Sequence, residues 1–142
     1  MSVHPTTQRA MEHFHAGRVD EAEALLGPYL RRTKGDAVAQ TLMAEIAFNR
    51  GRVAQAEFLA QQALAQVRKD KVPFASPLII LGRVRWAQGK PKDGMPLVRE
   101  ATEMDPRAPQ AWSARGHLAA SSQLYDEAIE CYRRSIELCP TA

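Results

Sequence analysis

The sequence predicts an all-α protein, an α-solenoid of four stacked helix-turn-helix units. Two observations carry the prediction. A set of small residues, turn glycines and prolines recurs at a period of 34 residues over most of the chain, and a fixed period of that length marks a stack of repeats. The composition agrees, with alanine and leucine throughout and aromatics at only 6%. Alanine and leucine lose little side-chain entropy in a helix, whereas strands favour β-branched and aromatic residues.

The register is clearest at the C-terminal end. Residues 109–142 and 75–108 align with Gly82 on Gly116, Gly94 on Ala128, Leu78 on Trp112, Ala101 on Ser135 and Pro106 on Pro140. Residues 37–70 and 3–36 continue the series. A four-residue insertion, Lys71-Val72-Pro73-Phe74, separates the second and third copies. All four copies are assigned to one domain, residues 1–142. Two helices joined by a short turn must approach closely where they cross. Ala10, Ala44, Gly82 and Gly116 supply the small side chain on the first helix of each pair, and Ala22, Ala56, Gly94 and Ala128 supply it on the second. Small residues at both places allow an interaxial distance at the short end of the usual range.

In order along the chain, the first pair is expected at residues 4–16 and 19–33, divided at Gly17. Gly27-Pro28 falls inside its second helix, where proline costs about 3 kcal/mol unless the helix bends. A kink or break is therefore expected near residues 26–28. The second pair, 37–49 and 53–68, turns at Gly51. The third, 75–88 and 92–104, turns at Gly89. Pro91 and Pro96 flank the start of its second helix, and first-turn proline is tolerated, so that helix is expected to begin near Lys92. The fourth pair, 109–121 and 125–138, has Gln123 where the others have a turn glycine, a weaker stop. Pro106 and Pro140 mark the ends of second helices.

A 34-residue period with Trp112, Gly116, Tyr125, Ala128, Tyr132 and Pro140 resembles the tetratricopeptide repeat. The resemblance extends over nearly the whole chain and implies a right-handed superhelix that binds a protein or peptide partner in its concave groove. Arg9 and Arg115 depart from it by standing where a leucine-like residue is usual, and His13 and Arg85 by standing where a large aromatic is common.

Little in the sequence points to chemistry, and no enzyme, metal or cofactor is implied. His13 and His15 lie two apart, so on a helix they diverge by roughly 200°. No cluster of Cys, Asp or Glu completes a ligand set with them. Cys131 and Cys139, eight apart on one predicted helix, are too distant to bridge. Cys131 reads as a packing residue and Cys139 as a helix-end residue. Glu21, Glu23, Glu127 and Glu130 read as solvated helix faces. The net charge of +3 arises from interleaved signs, unlike the one-sided basic face of a nucleic-acid binder. No apolar run approaches the roughly 20 residues that span a bilayer. Free thiols and the lack of an apolar signal core suggest a cytoplasmic protein.

The resemblance places the first helix of each repeat on the binding face. It assigns Thr7, Met11, Phe14 and His15 from the first repeat, and Thr41, Glu45, Phe48 and Asn49 from the second. Ile79, Arg83 and Trp86 come from the third, and Ser113 and His117 from the fourth. Phe14, Phe48 and Trp86 share one repeat position, which Ala120 fills in the fourth. Exposed, they would form an aromatic line of the kind that anchors partners; the alternative is packing between repeats. Trp86 beside Arg83 favours binding. Some members of the family clamp the acidic tails of heat-shock chaperones with Lys and Asn. Thr7 and Met11 occupy two of those positions here and Glu45 a third, so no such binding is expected.

The last predicted helix would expose Ile129, Tyr132 and Ile136 where a further repeat would stack. That suggests two alternatives to a free-standing adaptor. One is self-association through this face. The other is a substrate-presenting segment ahead of a catalytic domain, since several stretches are similar to the N-terminal repeats of bacterial enzymes such as sulfotransferases.

Overall fold

The computed structural model describes residues 3–139. Among them lie eight α-helices and no strand: α1 (Pro5–His15), α2 (Val19–Arg32), α3 (Ala37–Asn49), α4 (Val53–Asp70), α5 (Ser76–Ala87), α6 (Pro91–Met104), α7 (Pro109–Ser121) and α8 (Tyr125–Leu138). Pro140, expected to mark the end of the last helix, lies outside the described residues. The chain divides into two compact units, Met1–Val72 and Pro73–Ala142, with the division inside the four-residue insertion. The first holds α1–α4 and the second α5–α8.

In the first unit, α1 is capped by His4, whose Nδ1 accepts the Thr6 N–H at 3.1 Å, with Pro5 in the first turn. Asp36 caps α3 by accepting the Ala39 N–H at 3.0 Å. Its other carboxylate oxygen accepts the hydroxyls of Thr7 (3.0 Å) and Tyr29 (2.6 Å). One side chain thus ties α1, α2 and α3 together. Burial, followed by this bond to Asp36, raises the Tyr29 pKa above its usual value.

The break expected at Gly27-Pro28 does not occur, and α2 runs through both residues to Arg32. The clash that disfavours helix before proline involves the Cβ of the preceding residue, and Gly27 has none. The carbonyl that Pro28 cannot serve belongs to Ala24, four residues back on the exposed side, where water can satisfy it. Helix α4 runs two residues past its expected end and stops at Lys71, whose φ of 56° is left-handed.

In the second unit, α6 begins at Pro91, one residue earlier than expected, because proline at the first helical position has no N–H to lose. The α7–α8 turn is as sharp as the glycine turns. Gln123 adopts φ 65°, close to the 76° of Gly89. The small residues sit where the register places them. A Cβ on Gly82 would lie 2.5 Å from Val98 Cγ1, and one on Gly94 would lie 2.5 Å from Leu118 Cδ2 and 3.0 Å from the Gly82 carbonyl oxygen. Met95, Val98, Leu118, Ala119 and Ala128 form the core around this crossing.

Candidate partner-binding face

The second unit brings two of the expected contact residues together. Trp86 projects from the last turn of α5 and is 43% exposed. The exposed His117 of α7 sits beside it, ring centroids 4.9 Å apart and planes tilted by 58°. Within a repeat Trp86 is the twelfth residue, and His117 is the ninth of the next. Ile79 and Arg83, earlier on the same face of α5, are half-buried. Ser113 is exposed, but its hydroxyl lies 3.1 Å from that of Ser135, which donates to the Pro109 carbonyl at 3.0 Å. Ala120 is partly buried against the core.

The first unit presents less. Thr7 and Thr41, assigned to the face, are buried. Thr7 donates to Asp36, and Thr41 donates to the Ala37 carbonyl at 2.6 Å, the usual recourse of a threonine inside a helix. Met11 and Phe14 are half-buried against the cluster that holds Ala10, Leu26, Leu42 and Ile46. Glu45 and Phe48 are half-buried, while Asn49 and His15 are exposed. The His15 ring lies edge-on to Phe14 at 5.7 Å. His13 instead accepts the Arg18 Nε–H at 2.8 Å, and the two histidines point to different neighbours.

Two glutamates read as solvated are held by arginines instead. Glu127 of α8 accepts from Arg99 of α6 (2.6 and 3.0 Å) and from Arg115 of α7 (2.9 Å), and Arg115 also donates to Thr102 (2.9 Å). Arg115, the departure from a leucine-like position, thereby joins three helices. The Arg99 hydrogen bond, then that of Arg115, holds the Glu127 pKa at about 2. Glu23 of α2 accepts from Arg50 (2.6 Å) and Arg52 (2.9 Å) at the α3–α4 turn, and its pKa is lowered chiefly by Arg52. Both glutamates occur at ordinary outward helical spacing, and their arginine partners come from other helices or turns 12 to 29 residues away, so nothing in the local sequence signals the pairing. Trp112, noted in the sequence only as a repeat position, donates its indole N–H to the Pro106 carbonyl at 2.7 Å. The guanidinium groups of Arg115 and Arg134 lie 5.4 and 5.3 Å from its ring centroid.

Cys131 is buried and Cys139 exposed. Burial raises the Cys131 pKa, which keeps it a thiol at neutral pH, and a thiol is a poor nucleophile. Among the described residues no group of three or more His, Cys, Asp or Glu is placed to hold a metal ion. None of the described helices is long and apolar enough to cross a membrane.

Two family models match the sequence, one over residues 13–75 and one over residues 81–142, and both describe tetratricopeptide repeats. The chain belongs to the tetratricopeptide repeat family. Solved structures of similar fold include MamA, 17% identical with a TM-score of 0.73 over 94% of this chain and 75% of that one. Another is TTC0263, a thermophilic TPR protein of Thermus thermophilus, 17% identical with a TM-score of 0.82 over 96% of this chain and 74% of that one. YrrB, a TPR protein with an unusual peptide-binding site, is 19% identical with a TM-score of 0.70 over 98% of this chain and 70% of that one. At these identities the likeness is one of fold, an all-α solenoid of helix pairs. No curated protein matches the sequence. As a tetratricopeptide repeat protein the chain is a repeat scaffold of the protein-interaction kind, with its four repeats in the two units described above.

Proposed function

We propose that this tetratricopeptide repeat protein binds a peptide or protein segment on the first-helix face of its second unit, with Trp86 and His117 as the anchor. The observation that carries the reading is the Trp86–His117 pair. An indole 43% exposed on a folded helix leaves apolar surface in water, and the neighbouring imidazole adds hydrogen-bonding capacity at its edge. Tryptophan and arginine dominate binding energy when a partner covers them, and Arg83 lies one turn from Trp86. The peptide-binding site that names YrrB lends the reading support by analogy of fold.

The test is selection from a random peptide library on the immobilised chain, followed by titration of the enriched peptides. Substituting Trp86→Ala should weaken their binding at least tenfold, as expected of a hot-spot residue, and His117→Ala should weaken it less. Both side chains are exposed, so circular dichroism should show both variants folded. If no peptide is enriched, or if enriched peptides bind Trp86→Ala as tightly as wild type, the assignment fails.

A further inference from the structure

The outer face of α8 carries an apolar stripe. Tyr125 is 61% exposed, Ile129 56%, Tyr132 39% and Ile136 73%. The intervals of four, three and four residues align them on one side of the helix, the spacing of a helix-pairing seam. The preceding repeat shows what such a stripe does. Met95, Val98 and Thr102, which lie 34 residues before Ile129, Tyr132 and Ile136, are buried under α7. The stripe on α8 therefore has the form of a surface that a helix covers.

We propose that a second copy of this chain covers it, the two α8 helices pairing antiparallel about a twofold axis near Glu130 and Cys131. Size complementarity favours this arrangement. Antiparallel pairing sets Ile129 against Tyr132 of the partner subunit and Tyr125 against Ile136 of the partner subunit, so every layer combines one large ring with one smaller aliphatic side chain. Parallel pairing would set tyrosine on tyrosine. Charge points the same way. Asp126 and Arg133 flank the stripe on one side, seven residues apart, and antiparallel pairing brings each opposite the other across the seam, giving two symmetric ion pairs. The Glu130 contact to Arg133 is long, 3.5 Å, between two exposed side chains, and leaves Arg133 able to donate further.

Head-to-tail stacking is the competing arrangement, and α1 opposes it. Where α7 offers Ala114 and Leu118 to the helix before it, the corresponding residues of α1 are Gln8 and Glu12, both exposed. Laying these and Arg9 on Ile129 and Ile136 would bury polar groups without partners, which is unfavourable. An isologous pair closes at two copies.

Sedimentation equilibrium of the full 142-residue chain tests the proposal over about 1 μM to about 1 mM, the range in which an interface of this modest size dissociates. The expected result is a monomer–dimer equilibrium without larger species. Substitution Ile136→Glu, at a side chain too exposed to unfold the protein, should weaken the dimer at least tenfold. Asp126→Arg and Arg133→Asp should each weaken it severalfold, and the double variant should regain wild-type affinity, because reversal restores opposite charges only in the antiparallel arrangement. A monomer at every concentration overturns the proposal, as does open-ended growth, which would mean head-to-tail stacking. A double variant no better than either single one overturns the antiparallel pairing.

Discussion

Substituting Gly94→Ala should destabilise the second unit, although alanine is the better helix former. The new Cβ would lie 2.5 Å from Leu118 Cδ2, 3.0 Å from the Gly82 carbonyl oxygen and 3.2 Å from Arg85 Cβ. Carbon atoms pack best at about 3.5–4.0 Å, so the first contact is too short by about 1 Å or more. Leu118 can turn its methyl only into its own neighbours, since it is fully buried. The Gly82 carbonyl can move only if α5 and α6 separate. Overpacking of this kind costs about 1–3 kcal/mol, and the rigid backbone wall places this site near the upper end. The helix preference of alanine returns about 1 kcal/mol, leaving a net loss of about 2 kcal/mol. With a urea m-value of about 1 kcal/mol/M, the midpoint falls by about 2 M. Both tryptophans, Trp86 and Trp112, lie in the second unit, so fluorescence-monitored urea unfolding reports on the relevant half of the chain. A midpoint equal to or above wild type would refute the close-crossing argument. A companion measurement isolates the contact: removing the offending methyl with Leu118→Val should cost less in the Gly94→Ala background than in wild type.

Substituting Pro28→Ala should stabilise the first unit by about 1–3 kcal/mol, because it restores a helical hydrogen bond at an exposed position; thermal unfolding by circular dichroism reads this. Gln123→Gly should stabilise the second unit by about 1 kcal/mol, because it relieves a left-handed backbone at φ 65°; fluorescence-monitored urea unfolding is again the assay. The Glu127 pKa is lowered on folding, from 4.5 to about 2, so its stabilising effect is complete above pH 4.5 and fades as pH falls through 2. Glu127→Gln should therefore unfold at lower urea than wild type at neutral pH, with the gap closing as the solution is acidified towards the folded pKa. An acidic C-terminal pentapeptide should show no micromolar-range binding by calorimetry, since Thr7 is buried and Glu45 repels a carboxylate.

The positions of the helices and turns were legible because each depends on local sequence. A small residue at the crossing, a turn residue between helices and their recurrence every 34 residues can be read from residue type and spacing, without knowing any tertiary contact. The unbroken α2 is instructive for the same reason. Proline alone argues for a break, but Gly27 removes the side chain that makes the residue before proline resist a helix, and exposure lets water serve the orphaned carbonyl. Burial of individual face residues was not legible. Thr7 and Thr41 carry the period of the first-helix face, but Thr7 turns inward to Asp36, which is 29 residues away. Glu127 likewise looks like any exposed carboxylate until Arg99 and Arg115 are brought to it, from 28 and 12 residues away.

The same contrast bears on why one repeat position has two environments. Phe14 and Trp86 are register equivalents, yet Phe14 packs on the core of its unit while Trp86 stands beside His117 in solvent. The residue at the ninth position of the following repeat differs, Glu45 in the first unit and His117 in the second. A carboxylate gives a neighbouring ring face no favourable contact, because that face is itself electron-rich, so phenylalanine gains more by turning to the core. An imidazole can pack on an indole, and the Trp86 and His117 ring centroids lie 4.9 Å apart. Exchanging His117→Glu should therefore leave Trp86 without its partner and weaken the binding proposed for the pair. Its fluorescence should shift, with the fold retained by circular dichroism. An unchanged Trp86 environment would show that the His117 contact does not hold the indole in place.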